Sequence, residues 1–146
     1  MITRRDFTVA TVSIFATAAI AFAQSAAKPM LHSSATLWAD LKVEQKPSGE
    51  RRQVLDGPTP TLSNLECHIT TLNPGEAPHA PHRHADEEMM LIKEGTVAAY
   101  FETRTNVVGP GGVIFAAANE LHGLRNIGTN RATYFVVKFQ PHDLVK

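Results

Sequence analysis

Pro74-Gly75-Glu76-Ala77-Pro78-His79-Ala80-Pro81-His82-Arg83-His84-Ala85-Asp86-Glu87-Glu88 is followed by six residues and then Gly95. In an extended strand alternate side chains share a face, so His82 and His84 point the same way. Two neighbouring imidazoles suit a borderline divalent metal ion. Glu88 cannot join them along a straight strand, because four residues at about 3.3 Å each put it about 13 Å from His84. The chain must therefore turn near Ala85 to Glu87 and bring Glu88 back from the next strand.

With seven histidines in 146 residues, His-x-His alone is expected about 0.3 times by chance. Adding Glu four positions on and Gly seven beyond it lowers that to roughly 0.001, so the spacing carries information. A second element follows: Gly111, ten intervening residues, His122, three intervening residues, Asn126. It offers a third imidazole from a distant part of the chain. Glu87 is the alternative to Glu88 as the carboxylate.

Outward from this stretch, turn signals recur every eight to twelve residues or so. They are Pro47-Ser48-Gly49, Asp56-Gly57-Pro58, Asn73-Pro74-Gly75, Gly95, Gly109-Pro110-Gly111-Gly112 and Gly128-Thr129-Asn130. Short runs rich in β-branched and aromatic residues lie between them, which predicts an all-β sandwich or barrel. A short helical turn is expected within Ala35 to Val43, where Leu37, Trp38 and Leu41 share a face. Met89-Met90-Leu91-Ile92 and Tyr134-Phe135-Val136-Val137 are apolar on both faces. One face would fill an interior; the other needs a second sheet or a second copy of the chain, so a homodimer and a two-layer monomer are both expectations.

His82-x-His84-x3-Glu88-x6-Gly95 resembles the first cupin motif, and Gly111-x10-His122-x3-Asn126 resembles the second. The fifteen residues Thr96 to Pro110 match the short spacing of compact bacterial cupins, and the likeness covers roughly Leu65 to Phe139. The resemblance implies a jelly-roll β-barrel of six or more strands with the ligands inside, near one mouth. It implies that His82, His84, Glu88 and His122 bind the metal and that Gly95 and Gly111 make turns. Gly75 stands one residue further from the first histidine than is usual, and Ala117 and Asn119 replace a common proline and glycine. These departures bear on loops, not on ligands.

The other residues have plainer readings. His79 is a loop residue or lines the mouth; His68, His32 and His142 are structural or solvated; Arg83 points out of the barrel. Arg51 and Arg52 belong to a solvated strand face, with contact to an anionic substrate as the alternative. Tyr100, Phe101, Phe115 and Phe135 are candidates for lining a cavity. Cys67 is the one cysteine, so no internal disulfide forms, and it reads as a small buried hydrophobe.

Residues 1–23, MITRRDFTVATVSIFATAAIAFA, read as a cleavable leader: Arg4 and Arg5 precede an uncharged run from Phe7, and Ala21-Phe22-Ala23 offers a cleavage site. Thr3-Arg4-Arg5-Asp6-Phe7 resembles the bacterial twin-arginine signal, an ordinary secretory signal being the alternative. The expected organisation is leader 1–23, flexible tail 24–34 and one domain over 35–146, exported to the periplasm or secreted. The run is short and thinned by Thr and Ser for a stable membrane anchor. Lys plus Arg and Asp plus Glu are both 14, which gives no electrostatic reason to expect nucleic acid as partner.

Three imidazoles and one carboxylate around an octahedral ion leave two positions for a substrate that chelates through two oxygens, or for substrate and dioxygen together. This predicts a metal-dependent enzyme acting on a small oxygen-bearing molecule, with oxygenase chemistry first and isomerase or lyase chemistry second. Glu88 is the residue expected to take a proton. Iron or manganese is favoured, with nickel, copper, cobalt and zinc also accepted by these ligands. A periplasmic module that holds metal or a small ligand without turnover is the alternative.

Overall fold

The computed structural model describes residues 27–142; the expected leader lies outside them. A single turn of 3₁₀ helix, Trp38–Asp40, precedes nine strands. These are β1 (Val43–Lys46), β2 (Gly49–Gly57), β3 (Leu62–Leu72), β4 (Glu87–Glu94), β5 (Val97–Phe101), β6 (Thr105–Val108), β7 (Val113–Ala116), β8 (His122–Asn126) and β9 (Ala132–Pro141). Each Gly- or Pro-rich cluster of the sequence falls between strands or at a strand end, where the chain needs φ values and missing donors that a ladder does not accept. Among the described residues no helix is long and apolar enough to cross a membrane.

All pairings are antiparallel. Six strands form one sheet in the order β1-β2-β3-β9-β4-β7, and three form another in the order β6-β5-β8. The fold is thus the jelly-roll barrel expected of the sequence. The apolar interior is built from Leu72, Met90, Ile92, Val97, Ala99, Ile114, Leu124, Tyr134 and Val136. Every second residue of β4 and β9 contributes, as the two-residue period of a strand requires. The other face of the larger sheet is open, with Leu91, Val113 and Phe115 exposed and Leu91 directly opposite Val113.

Two loop positions, one that keeps the motif and one that departs from it, show what the turns require. Gly95 has φ +84°, and a Cβ there would lie 2.5 Å from Ala132 Cα, so the turn from β4 to β5 needs glycine. Asn119 has φ +62°, a left-handed conformation that asparagine tolerates better than most residues. Its N–H donates to His84 O at 2.7 Å, and its carbonyl accepts from Arg83. The loop before β8 is thereby tied to the histidine segment. At the other end of the chain, Leu31 N–H donates to Pro58 O at 2.8 Å and Lys28 pairs with Asp56, so this part of the stretch read as a tail lies along the end of β2.

Candidate metal centre

The segment before β4 carries the first two histidines to the smaller sheet. His82 N–H donates to His122 O at 2.9 Å and His122 N–H to His82 O at 3.0 Å, a single antiparallel bridge beside β8. The chain bends at Ala85 and Asp86, and β4 starts at Glu87. Glu88 therefore returns on the opposite sheet, and its side chain faces inward while Glu87 is exposed. The inward phase of β4 favours Glu88 over Glu87 as the carboxylate of this site.

His82, His84 and His122 present ring nitrogens that all lie within 4.8 Å of one another. Two of the rings are fixed by backbone carbonyls. His84 Nδ1 donates to Asp86 O at 2.9 Å, and His122 Nδ1 donates to Glu120 O at 2.9 Å. Each then offers an Nε2 lone pair, the tautomer that metal-ligating histidines commonly adopt through such contacts. His122 Nε2 and His82 Nδ1 are buried without a hydrogen-bond partner among the described residues. Buried polar atoms left unpaired cost about 1–3 kcal/mol each, so two in one cluster call for a ligand. Burial, followed by the neighbouring His79, His122 and His84 rings, holds His82 below the ordinary imidazole value, which favours the neutral form that coordinates a metal.

Glu88 completes the corner. Its Oε2 lies 3.1 Å from His84 Nε2 and 3.4 Å from Lys138 Nζ. A carboxylate oxygen facing an imidazole lone pair repels it unless a cation, proton or metal, stands between them. The donor set fits a divalent transition metal: neutral imidazoles, one carboxylate and carbonyl-fixed tautomers.

The centre opens into a cavity of about 870 Å³. Its opposite wall comes from β2, β3 and β9, through Arg51, Gln53, Glu66, His68, Tyr134 and Lys138. Glu66 Oε1 accepts from Arg51 Nη2 at 2.8 Å, Gln53 Nε2 at 3.0 Å and His68 Nδ1 at 2.7 Å. The His68 ring, held on Glu66 through Nδ1, lines the cavity.

Several sequence readings change here. Arg51, read as part of a solvated strand face with contact to an anionic substrate as the alternative, and His68, read as structural or solvated, belong to this wall. Tyr134 lines the cavity, whereas Phe101 packs against the core, Phe115 is exposed on the outer face and Tyr100 borders a second, smaller cavity. His79 sets its ring edge-on to His82, with centroids 4.2 Å apart. Arg83 points outward, to Asn119 O and Glu102. Cys67 is a free, half-buried thiol whose pKa burial pushes up, with Glu66 adding to the effect.

Comparison with known proteins agrees with this fold. Residues 68–138 match the cupin domain family. The fold is a cupin's. KdgF from Halomonas sp. superposes with a TM-score of 0.65 at 17% identity, covering 77% of this chain and 97% of that one. A RmlC-like cupin from Shewanella frigidimarina gives 0.62 at 13% identity, over 77% and 95% of the two chains. The polyketide cyclase RemF from Streptomyces resistomycificus gives 0.61 at 21% identity, over 79% and 88%. At these identities the likeness concerns the fold. Among curated proteins none matches.

In this chain the Glu66 carboxylate also couples stability to acid. Burial raises its pKa, but the hydrogen bond and charge of His68, then Gln53 and Arg51, outweigh that and hold it below its ordinary 4.5. The folded carboxyl therefore ionises more readily than the unfolded one. Its contribution is fully present above about pH 4.5 and is lost as pH falls through the lower folded value. Glu66→Gln should flatten the fall of chemical-denaturation stability between about pH 5 and pH 3. An acid limb as steep as the wild type's would show that Glu66 is not its source.

Proposed function

We propose that this chain is a metal-dependent enzyme acting on a small oxygen-bearing molecule, with a divalent transition metal held by His82, His84 and His122 and Glu88 as the fourth ligand. The supporting observation is the meeting of three imidazoles, two of whose ring nitrogens are buried without a partner among the described residues, beside Glu88 at the head of the cavity. When bound, the ion supplies Lewis-acid polarisation of a substrate oxygen. Glu88 Oε2 takes a proton from the substrate. His68 Nε2 accepts a hydrogen bond from a substrate hydroxyl, and Glu66 fixes the ring that does so. Met90, Leu124 and Val136 line the same cavity and limit the water around the reacting group.

Oxygenase chemistry with iron or manganese is the first reading, and isomerase or lyase chemistry the second. Metal analysis of protein purified without chelators or a metal-carrying tag tests the site. Reconstituted protein is then assayed on a panel of small diols and enols with and without air. Dioxygen uptake with product supports oxygenation, and anaerobic turnover supports isomerase or lyase chemistry. Retention of ligand with no turnover under any metal would replace the enzyme by a binding module. We include in the proposal export of the chain by residues 1–23 and cover of the Leu91–Val113–Phe115 face by a second copy. A monomer mass in light scattering would remove the dimer, and an uncleaved leader on cytoplasmic protein would remove the export.

A further inference from the structure

Lys138 is a cavity-lining cation that the site does not need for binding metal. It stands in β9 directly opposite Glu88 of β4 on one side and opposite Glu66 of β3 on the other. Its side chain lines the cavity and is 28% exposed. Adjacent strands are about 4.8 Å apart, so the three charges form one row across the barrel wall. Lysine seldom occupies an interior strand position unless it is paired. Here its ammonium lies 3.4 Å from Glu88 Oε2, the same oxygen that approaches His84 Nε2. Glu66 is meanwhile engaged on Oε1 by Arg51, Gln53 and His68. Glu88 is thus the partner that the geometry gives Lys138.

We propose that Lys138 is a positioning residue that draws the Glu88 carboxylate away from the metal, leaving the three histidines as the permanent ligands and Glu88 as a releasable one. The inference rests on the proposed metal site. Three arrangements of charge support it. An ammonium shares the oxygen that would coordinate, so each Glu88–metal contact is made against a competing ion pair. The carboxylate is almost fully buried, with 8% of its side chain exposed, so water competes poorly with either partner. The three imidazoles meet without Glu88 as a member of their cluster. A carboxylate with two alternative cations moves between them by side-chain rotation, and in the Lys138-paired position it is free to accept a proton from a substrate oxygen.

The test uses Co²⁺ alone with the purified, metal-stripped protein, reading Kd and visible absorption by titration. Lys138→Met should bind Co²⁺ about tenfold more tightly, the scale on which partners outside the coordination shell change metal affinity, with a changed absorption spectrum. Lys138→Arg, which retains the charge and guards against a folding failure of the Met variant, should stay near the wild type. In a Glu88→Gln background Lys138→Met should have no further effect, because the pair acts through that carboxylate. Unchanged or weaker binding in Lys138→Met, or a gain that persists in the Glu88→Gln background, overturns the proposal. Failure of the wild type to bind Co²⁺, or equal binding by His122→Ala, would instead overturn the metal site itself.

Discussion

His122→Ala should abolish stable metal binding while leaving the barrel folded. The side chain is 3% exposed, its Nδ1 is fixed on Glu120 O, and its Nε2 has no partner among the described residues. Removing it takes away one of three converging nitrogens. The loss of affinity should exceed the roughly 100-fold upper end seen for partners outside the coordination shell. His84→Ala should behave alike, since its ring is held on Asp86 O with Nε2 toward Glu88. His68→Ala should keep wild-type occupancy, because its ring binds Glu66 on the opposite wall. The metal-free fold should suffer little from His122→Ala. The bridge between residues 82 and 122 is made by backbone atoms, and deleting an unpaired buried nitrogen offsets part of the lost packing. Added metal should raise the melting temperature of the wild type and of His68→Ala, but not of His122→Ala. Equal metal content in all variants after dialysis would refute three-histidine ligation.

The first half of the pattern behind this prediction was legible because it is local. Turn residues fix where strands end, and the spacing His82-x-His84-x3-Glu88 fixes a bend at Ala85 and Asp86. What sequence reading left open for Arg51 and missed for the rest is the far wall: Arg51, Gln53, Glu66, His68 and Lys138 come from three strands that are distant in the chain. Its assembly depends on which face of each strand turns inward, and runs apolar on both faces, such as Tyr134 to Val137, do not settle that. A signal existed in the two-residue period. With Leu72 at the core, Thr70, His68 and Glu66 share its face of β3; with Tyr134 and Val136 inside, Lys138 follows on β9. The same phase rule explains why Phe115 is outside: it lies between the buried Ile114 and Ala116 of β7. For Asn119 the reason differs, since a positive φ is a property of the loop that glycine fills without steric cost and asparagine at a tolerable one.

Asn126→Ala should be the most destabilising single change outside the core. Asn126 is wholly buried and ends β8, where its amide nitrogen lies 3.2 Å from Leu72 O, 3.1 Å from Asn73 O and 2.8 Å from Asn130 O. Its side-chain oxygen accepts Gly128 N–H at 3.0 Å. One amide thus ties the end of β3, the loop that leads to His82 and the turn into β9. The backbone adds to the same knot, with Gly75 N–H donating to Asn126 O and Asn126 N–H donating to Glu76 O. Alanine retains those backbone bonds but takes the amide away from Leu72 O, Asn130 O and Gly128 N–H in a largely buried place, while Asn73 O keeps Glu76 N–H. At about 1–3 kcal/mol for each unsatisfied group, with water reaching some of them, the loss should be about 3–5 kcal/mol. That is a large share of the stability of a domain of this size. Because the loop it anchors carries the histidine segment, metal affinity should fall as well, in contrast to a core truncation of similar energetic effect such as Ile114→Ala. Urea unfolding with an unchanged slope and a midpoint shift worth less than about 1 kcal/mol would show that this amide does not hold the two motifs together.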